Sequence, residues 1–209
     1  MIIFMSDVLC VTNRSLCRGD FLGRIEQIAV SHPKGILLRE KDLSWAEYAR
    51  LAKKVLAICR TYQVPCILHS FTETAIKLHA DAVHLPLPLL RQMPREQKRF
   101  FRIIGASCHS LKDAKEAEAL GCTYITAGHI FATGCKKDLP PRGLDFLRTI
   151  CKETAVPVYA IGGIDSQKAS LIRSAGACGM CVMSGIMQCD DAVSYLKNFE
   201  KAGENCAVS

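Results

Sequence analysis

No run of eighteen apolar residues occurs in this 209-residue chain, so nothing in it reads as a transmembrane helix. The apolar opening, MIIFMSD, is too short for a secretory signal with its flanks. Basic runs interleaved with aromatic residues are missing too, which argues against nucleic-acid binding despite a net charge of +7. The basic residues fall mostly on amphipathic helices as a solvated cationic surface, and their excess is compatible with an anionic substrate. Cys178 and Cys181 have no second Cys-x-x-Cys to pair with. They lie in a strand-like run, where positions three apart face opposite ways and cannot share a metal. The twelve cysteines do not cluster as a disulfide framework. They are scattered through apolar runs such as DVLCVT and VPCIL, as in a reduced, cytoplasmic interior that uses cysteine as a small hydrophobe.

What is present is a large apolar fraction and a strict alternation. The chain is 49% hydrophobic and only 22% charged, which excludes a disordered class. Short β-branched runs at 7–12, 35–40, 65–70, 81–86, 102–107, 123–128, 156–163 and 178–185 read as strands. Helical periodicity fills the intervals at 19–32, 44–62, 72–79, 89–100, 110–121, 143–153 and 165–176, with a last helix near 190–202. Ser44 with Glu47 has capping-box spacing, Ser110 caps the helix that ends at Gly121, and Pro94 breaks or kinks its helix. Eight strand–helix units predict an α/β fold with a parallel sheet, closed as a single (β/α)₈ TIM barrel over 1–209. A doubly wound open sheet is the alternative. No composition break divides the chain.

In such a barrel the chemistry lies at the C-terminal strand ends. None of those ends offers an aspartate, and Glu40 is their only acid. AIGGID and VMSGI end the seventh and eighth strands, where barrels often bind phosphate. Gly162, Gly163, Met183, Ser184 and Gly185 are therefore candidate phosphate-binding residues. Arg39 and Lys41, two apart on a strand, share a face and could hold an anion; Lys136, Lys137 and Arg142 follow the sixth strand. His129, in TAGHIFATGCKK, carries an imidazole, the side chain type suited to proton transfer in both directions, and is the best acid–base candidate. His69, His84 and His109 also stand at strand ends, where a structural role is the competing reading.

These residues carry a family resemblance. The stretches VTNR, LLREKDLS, ADAVHLP, IIGASCHSLKDAKEAEALGCTYITAGHIF, PPRGLDFL, VPVYAIGGI and AGACGMCVMSGI, in this order, resemble the thiamine-phosphate synthase and thiazole tautomerase superfamily over almost the whole chain. The resemblance implies the (β/α)₈ barrel and a small phosphorylated thiazole as substrate, with no nucleic-acid or membrane partner; a homodimer is left open. It then divides. Thiamine-phosphate synthases join a pyrimidine pyrophosphate to a thiazole phosphate, and their strand 3 ends in Asn-Asp, with a further acid after strand 4 for Mg²⁺. Here His69-Ser70 and HLPLPLL stand at those places, and Leu37 replaces a usual glutamine. GHIF replaces a Gly-Pro-Ile/Val-Phe run, and Cys135 replaces a threonine.

These departures resemble the TenI-type tautomerase branch. That branch implies a metal-independent thiazole tautomerase, an isomerase with no cofactor. In it His129 moves a proton as a thiazole carboxylate phosphate becomes its aromatic tautomer. Arg39, Lys41 and Lys136 would be cationic pocket residues, and Thr133 and Cys135 would line the loop. The alternatives are a thiamine-phosphate synthase, the one case requiring Mg²⁺, and a non-catalytic thiazole-phosphate-binding regulator.

Overall fold

A computed structural model describes residues 6–134 and 139–204, the last four of these by backbone alone. The strands are β1 (Val8–Val11), β2 (Gly35–Leu38), β3 (Cys66–His69), β4 (Ala82–Pro86), β5 (Ile103–Cys108), β6 (Tyr124–Gly128), β7 (Val158–Ile161) and β8 (Gly179–Val182). Each pairs in parallel with its sequence neighbours, and β8 pairs with β1, so the sheet closes as a barrel. The TIM barrel is the observed architecture, and the open-sheet alternative falls with that closure. Among the described residues no helix is long and apolar enough to cross a membrane.

Alternation within each strand divides the apolar residues into two layers. One set, including Val8, Cys10, Ile36, Leu38, Leu68, Val83 and Ile125, packs outward under the helices. The other fills the barrel: Leu9, Val11, Leu37, Ile67, Ala82, Tyr124, Tyr159 and Cys181, with Met183 packed against them. Cys181 thus lies inside the barrel while Cys178 is exposed, the opposed placement that keeps them from sharing a metal.

The helices begin where the sequence indicates. Ser44 and Glu47 form a reciprocal capping box on α2 (Trp45–Thr61). Ser110 accepts from the Asp113 N–H to start α6 (Leu111–Ala119). Pro94 separates two short helices, α4 (Leu87–Gln92) and α5 (Arg95–Lys98), rather than kinking one. Two boundaries differ from expectation. β2 stops at Leu38, so Arg39 to Lys41 lie beyond the ladder. β8 stops at Val182, and Ser184–Gln188 form a short helix, α9, instead of extending the strand.

Candidate active site

Strand register assembles a polar band inside the barrel mouth. His69 pairs with His84, His84 with Gly105, and Gly105 with Tyr124. All four point inward at one level. Gly105 has no side chain, so the rings on either side of it meet: His84 Nδ1 lies 2.9 Å from Tyr124 Oη. His84 Nε2 lies 2.8 Å from Ser107 Oγ, two residues further toward the mouth. The His69 and His84 rings stack with centroids 5.9 Å apart. Ser70 Oγ lies 2.8 Å from His69 Nδ1.

Both imidazoles are held neutral. Burial, then Arg39 and Lys41, takes His69 down to about 3. Burial, then His69 and Arg39, takes His84 down to about 3. A neutral imidazole can donate from one nitrogen and accept at the other, so this band recognises by hydrogen bonds rather than by charge. His109 is exposed, and its Nδ1 donates to the Gly128 carbonyl at 2.8 Å.

The corner between β1 and β2 explains the lone acid. Glu40 is buried and is held by Thr12 Oγ1 at 2.6 Å and by the Arg14 backbone N–H at 2.9 and 3.1 Å. Burial raises its carboxyl above the ordinary range, against those hydrogen bonds. Thr12 in turn accepts from the Arg39 N–H at 2.9 Å. This lock fixes the chain just past β2, where Arg39 is half-buried and Lys41 exposed.

At the far side of β1, the ends of β7 and β8 lie side by side, with Ile161 opposite Cys181. Gly162 and Gly163 follow β7 with φ of +103° and +66°. A Cβ on Gly163 would stand 2.3 Å from the Ala132 carbonyl oxygen, so only glycine allows the β6 and β7 loops to approach this closely. Lys168 ties the turn down, donating to the Gly163 carbonyl at 2.8 Å and pairing with Asp165 at 2.5 Å. Met183 turns toward the barrel interior, Ser184 is exposed, and Gly185 packs under Tyr195.

His129 stands directly after β6. It is buried, its Nε2 donates to the Leu139 carbonyl at 3.2 Å, and its buried Nδ1 has no partner among the described residues. Its own carbonyl accepts from the Arg142 N–H at 3.0 Å. The residue therefore ties both ends of the loop between β6 and α7 (Gly143–Glu153). Thr133 lies on that loop and is half-buried, while Cys135, Lys136 and Lys137 lie outside the described residues.

The reading from sequence missed Tyr124 and Lys168, and it named Thr12 as a strand end without its partner Glu40. Tyr124 was accessible from strand alternation, since Tyr124, Thr126 and Gly128 share a face. Nothing local marks Thr12 as the partner of an acid 28 residues away.

A Mg²⁺ ion asks for carboxylate oxygens, and the described residues around the mouth do not supply free ones. Glu40 is committed to Thr12 and Arg14, Asp42 to Arg14, Asp113 to the His109 N–H, and Asp165 to Lys168. β3 and β4 end in His69-Ser70 and Pro86-Leu87. Among the described residues no three His, Cys, Asp or Glu side chains come together as a metal site.

Residues 8–186 match the family described as thiamine monophosphate synthase. The chain belongs to that family. A thiamine-phosphate synthase of Fusobacterium nucleatum is 32% identical over 200 residues, covering 92% of this chain and 96% of the relative. One from Clostridium novyi is 32% identical, covering 87% and 90%. The solved thiamine phosphate pyrophosphorylase of Pyrococcus furiosus superposes with a TM-score of 0.82 at 29% identity, covering 95% of each chain. A 3-hexulose-6-phosphate synthase superposes at 0.68 with 16% identity, a likeness of fold alone.

These relatives overturn the expectation of a thiazole tautomerase. They carry the name of the synthase, a transferase, and not that of an isomerase. The geometry gives the physical reason for the misreading. The expectation rested on His129 and on the missing acids of β3 and β4; the His129 ring gives Nε2 to the Leu139 carbonyl, while Nδ1 has no partner among the described residues.

Proposed function

We propose that this protein is a transferase of the thiamine-phosphate synthase class, joining a pyrimidine bearing a diphosphate to a thiazole bearing a phosphate. The observation that carries the reading is a mouth with two sets of residues suited to anions on either side of β1. The glycines after β7 and the start of α9 make one end. Arg39 and Lys41 after β2 make the other, their positive charge felt by His69. A coupling of two phosphorylated rings needs two such ends. The names of the relatives support the same reading.

In that reaction the bond from the pyrimidine methylene carbon to the diphosphate breaks, and its electron pair leaves on the diphosphate. The lone pair of the thiazole nitrogen forms the new carbon–nitrogen bond. The protein's part is to hold both partners in line and to stabilise charge as it develops on the departing oxygen. Gly162, Gly163, Met183, Ser184 and Gly185 hold the thiazole phosphate in this reading, and Ser107 and His84 face the rings between the two ends. His129 acts through the loop it ties.

The direct test supplies both phosphorylated substrates and follows thiamine phosphate and released diphosphate together. Stoichiometric formation of the two is expected. If neither forms, with or without added Mg²⁺, the reading is wrong. Gly163→Ala forces the turn away from Ala132 and is expected to raise KM for the thiazole phosphate about tenfold, equivalent to about 1.4 kcal/mol, with a smaller change for the pyrimidine substrate. Equal changes for both would move the thiazole phosphate to another end.

A further inference from the structure

The foot of the barrel, opposite the mouth, holds two cysteines that the proposed reaction does not use. Cys178 stands just before β8 and is exposed. Its backbone N–H donates to the Val158 carbonyl at 2.9 Å, which fixes it beside the first residue of β7. Met180, two residues on, is buried in the layer between barrel and helices, so Cys178 begins that same outward face. Cys181 points into the barrel instead. The Cys-x-x-Cys spacing therefore parts its two thiols, and a partner for Cys178 lies on the helical side.

Cys151 is placed to be that partner. It lies in the last turn of α7, half-buried against the outer core. Gly176 closes the turn after α8 (Ala169–Ser174) with φ +91°. A Cβ on Gly176 would stand 3.3 Å from Cys151 Cβ and 4.0 Å from Cys151 Sγ. Glycine here lets the end of α7 close onto the chain two residues ahead of Cys178. The two segments converge from both sides, because α7 leads within a few residues into β7, and Cys178 is bonded to the first residue of β7. The thiols also feel each other: burial, then Cys178, pushes the Cys151 thiol up to about 11.

These placements divide the roles. Cys178 is open to solvent and Cys151 is screened, so a reagent from outside meets Cys178 first. Two thiols arranged in this way are oxidised by exchange with a disulfide, one attacking and the other resolving.

We propose that Cys178 and Cys151 form an oxidisable dithiol, a modification site on the face opposite the mouth, whose oxidant is a small-molecule disulfide such as glutathione disulfide. The Cys178 thiolate attacks one sulfur of the reagent, forming a mixed disulfide and expelling one glutathione thiolate. Cys151 then gives up its proton and attacks the Cys178 sulfur. The Cys151–Cys178 bond forms as the second glutathione leaves with its electron pair. Two protein thiols lose two protons and two electrons, and one glutathione disulfide becomes two glutathiones. The bond ties α7 to the foot of β8 and involves no residue of the mouth, so the inference stands apart from the reaction proposed above.

The test incubates the whole folded protein with glutathione disulfide, blocks the thiols left after denaturation, and maps the cysteines by mass spectrometry of peptides. The expected product is a cross-link between Cys151 and Cys178 of one chain, reversed by a dithiol reductant. Cys178→Ser, at an exposed position, abolishes it. Cys151→Ser leaves Cys178 as the glutathione mixed disulfide, because no thiol resolves it. The oxidised wild type is expected to melt about 5 °C above the reduced protein, since a cross-link between segments far apart in sequence restricts the unfolded chain. Cys178→Ser shows no such rise.

A wild-type Cys178 that stays unmodified, stops at the mixed disulfide, or links to any cysteine other than Cys151 of the same chain overturns the proposal. If Cys151→Ser does not fold, the wild-type peptide map and Cys178→Ser still decide it.

Discussion

Lowering the pH from about 6 to about 4 is expected to remove roughly 4–5 kcal/mol of folding stability through His69 and His84, at about 1.4 kcal/mol per pH unit for each. The sign follows from proton counts. In the unfolded chain both histidines take a proton near the ordinary value of 6.5, whereas in the folded barrel they stay neutral down to about 3. Between those limits the unfolded state binds more protons, so stability falls as pH falls. Glu40 acts in the opposite direction, because its raised carboxyl binds a proton earlier in the folded state. It offsets part of the loss. Urea denaturation at a series of pH values measures the slope. His84→Gln removes one titrating ring and should flatten the slope by about one histidine's share. An unchanged slope in that variant would place the acid sensitivity elsewhere.

Gly105→Ala is expected to destabilise the fold by about 3 kcal/mol or more, at or beyond the upper end of ordinary overpacking. The new methyl would stand 2.3 Å from Tyr124 Cζ and 2.4 Å from His84 Nδ1. Both neighbours are ring atoms inside a closed barrel, and they are hydrogen-bonded to each other across the glycine. Neither ring can retreat without breaking that bond or pressing on Tyr159, which packs edge-on against Tyr124 at 5.6 Å. Gly134→Ala is the control, since nothing lies within 4 Å of its added methyl. It should stay within about 0.5 kcal/mol of wild type. Equal denaturation midpoints for the two variants would show that the band across Gly105 is not packed as described.

How far the sequence could be read depended on whether the signal was local. Capping at Ser44 and Ser110 and the break at Pro94 involve residues within a few positions of each other, and they appear where expected. The strand ends that face the mouth follow from alternation and barrel topology, so Arg39, His69, His84 and the glycines after β7 could be named in advance. The end of β8 could not. VMSGI is as apolar as a strand, and the turn into α9 is set by what Met183 and Ile186 pack against. The surroundings of His129 were hidden for a related reason. Its neighbours in sequence made it a loop histidine beside phosphate-binding glycines, but a ring on a short side chain can face only one way. The carbonyl that captures it comes from Leu139, ten residues further on.

The sequence by itself determined the alternating α/β architecture, the family, and the absence of carboxylates at the ends of β3 and β4, because periodicity and residue identity are properties of the chain alone. Only the tertiary structure decided which side chains act together. Parallel register put His69, His84, Gly105 and Tyr124 on one level, burial made both histidines neutral, and the Thr12–Glu40 lock consumed the acid that follows β2. Each of these depends on contacts between residues more than a dozen positions apart, and such contacts exist only once the barrel has closed.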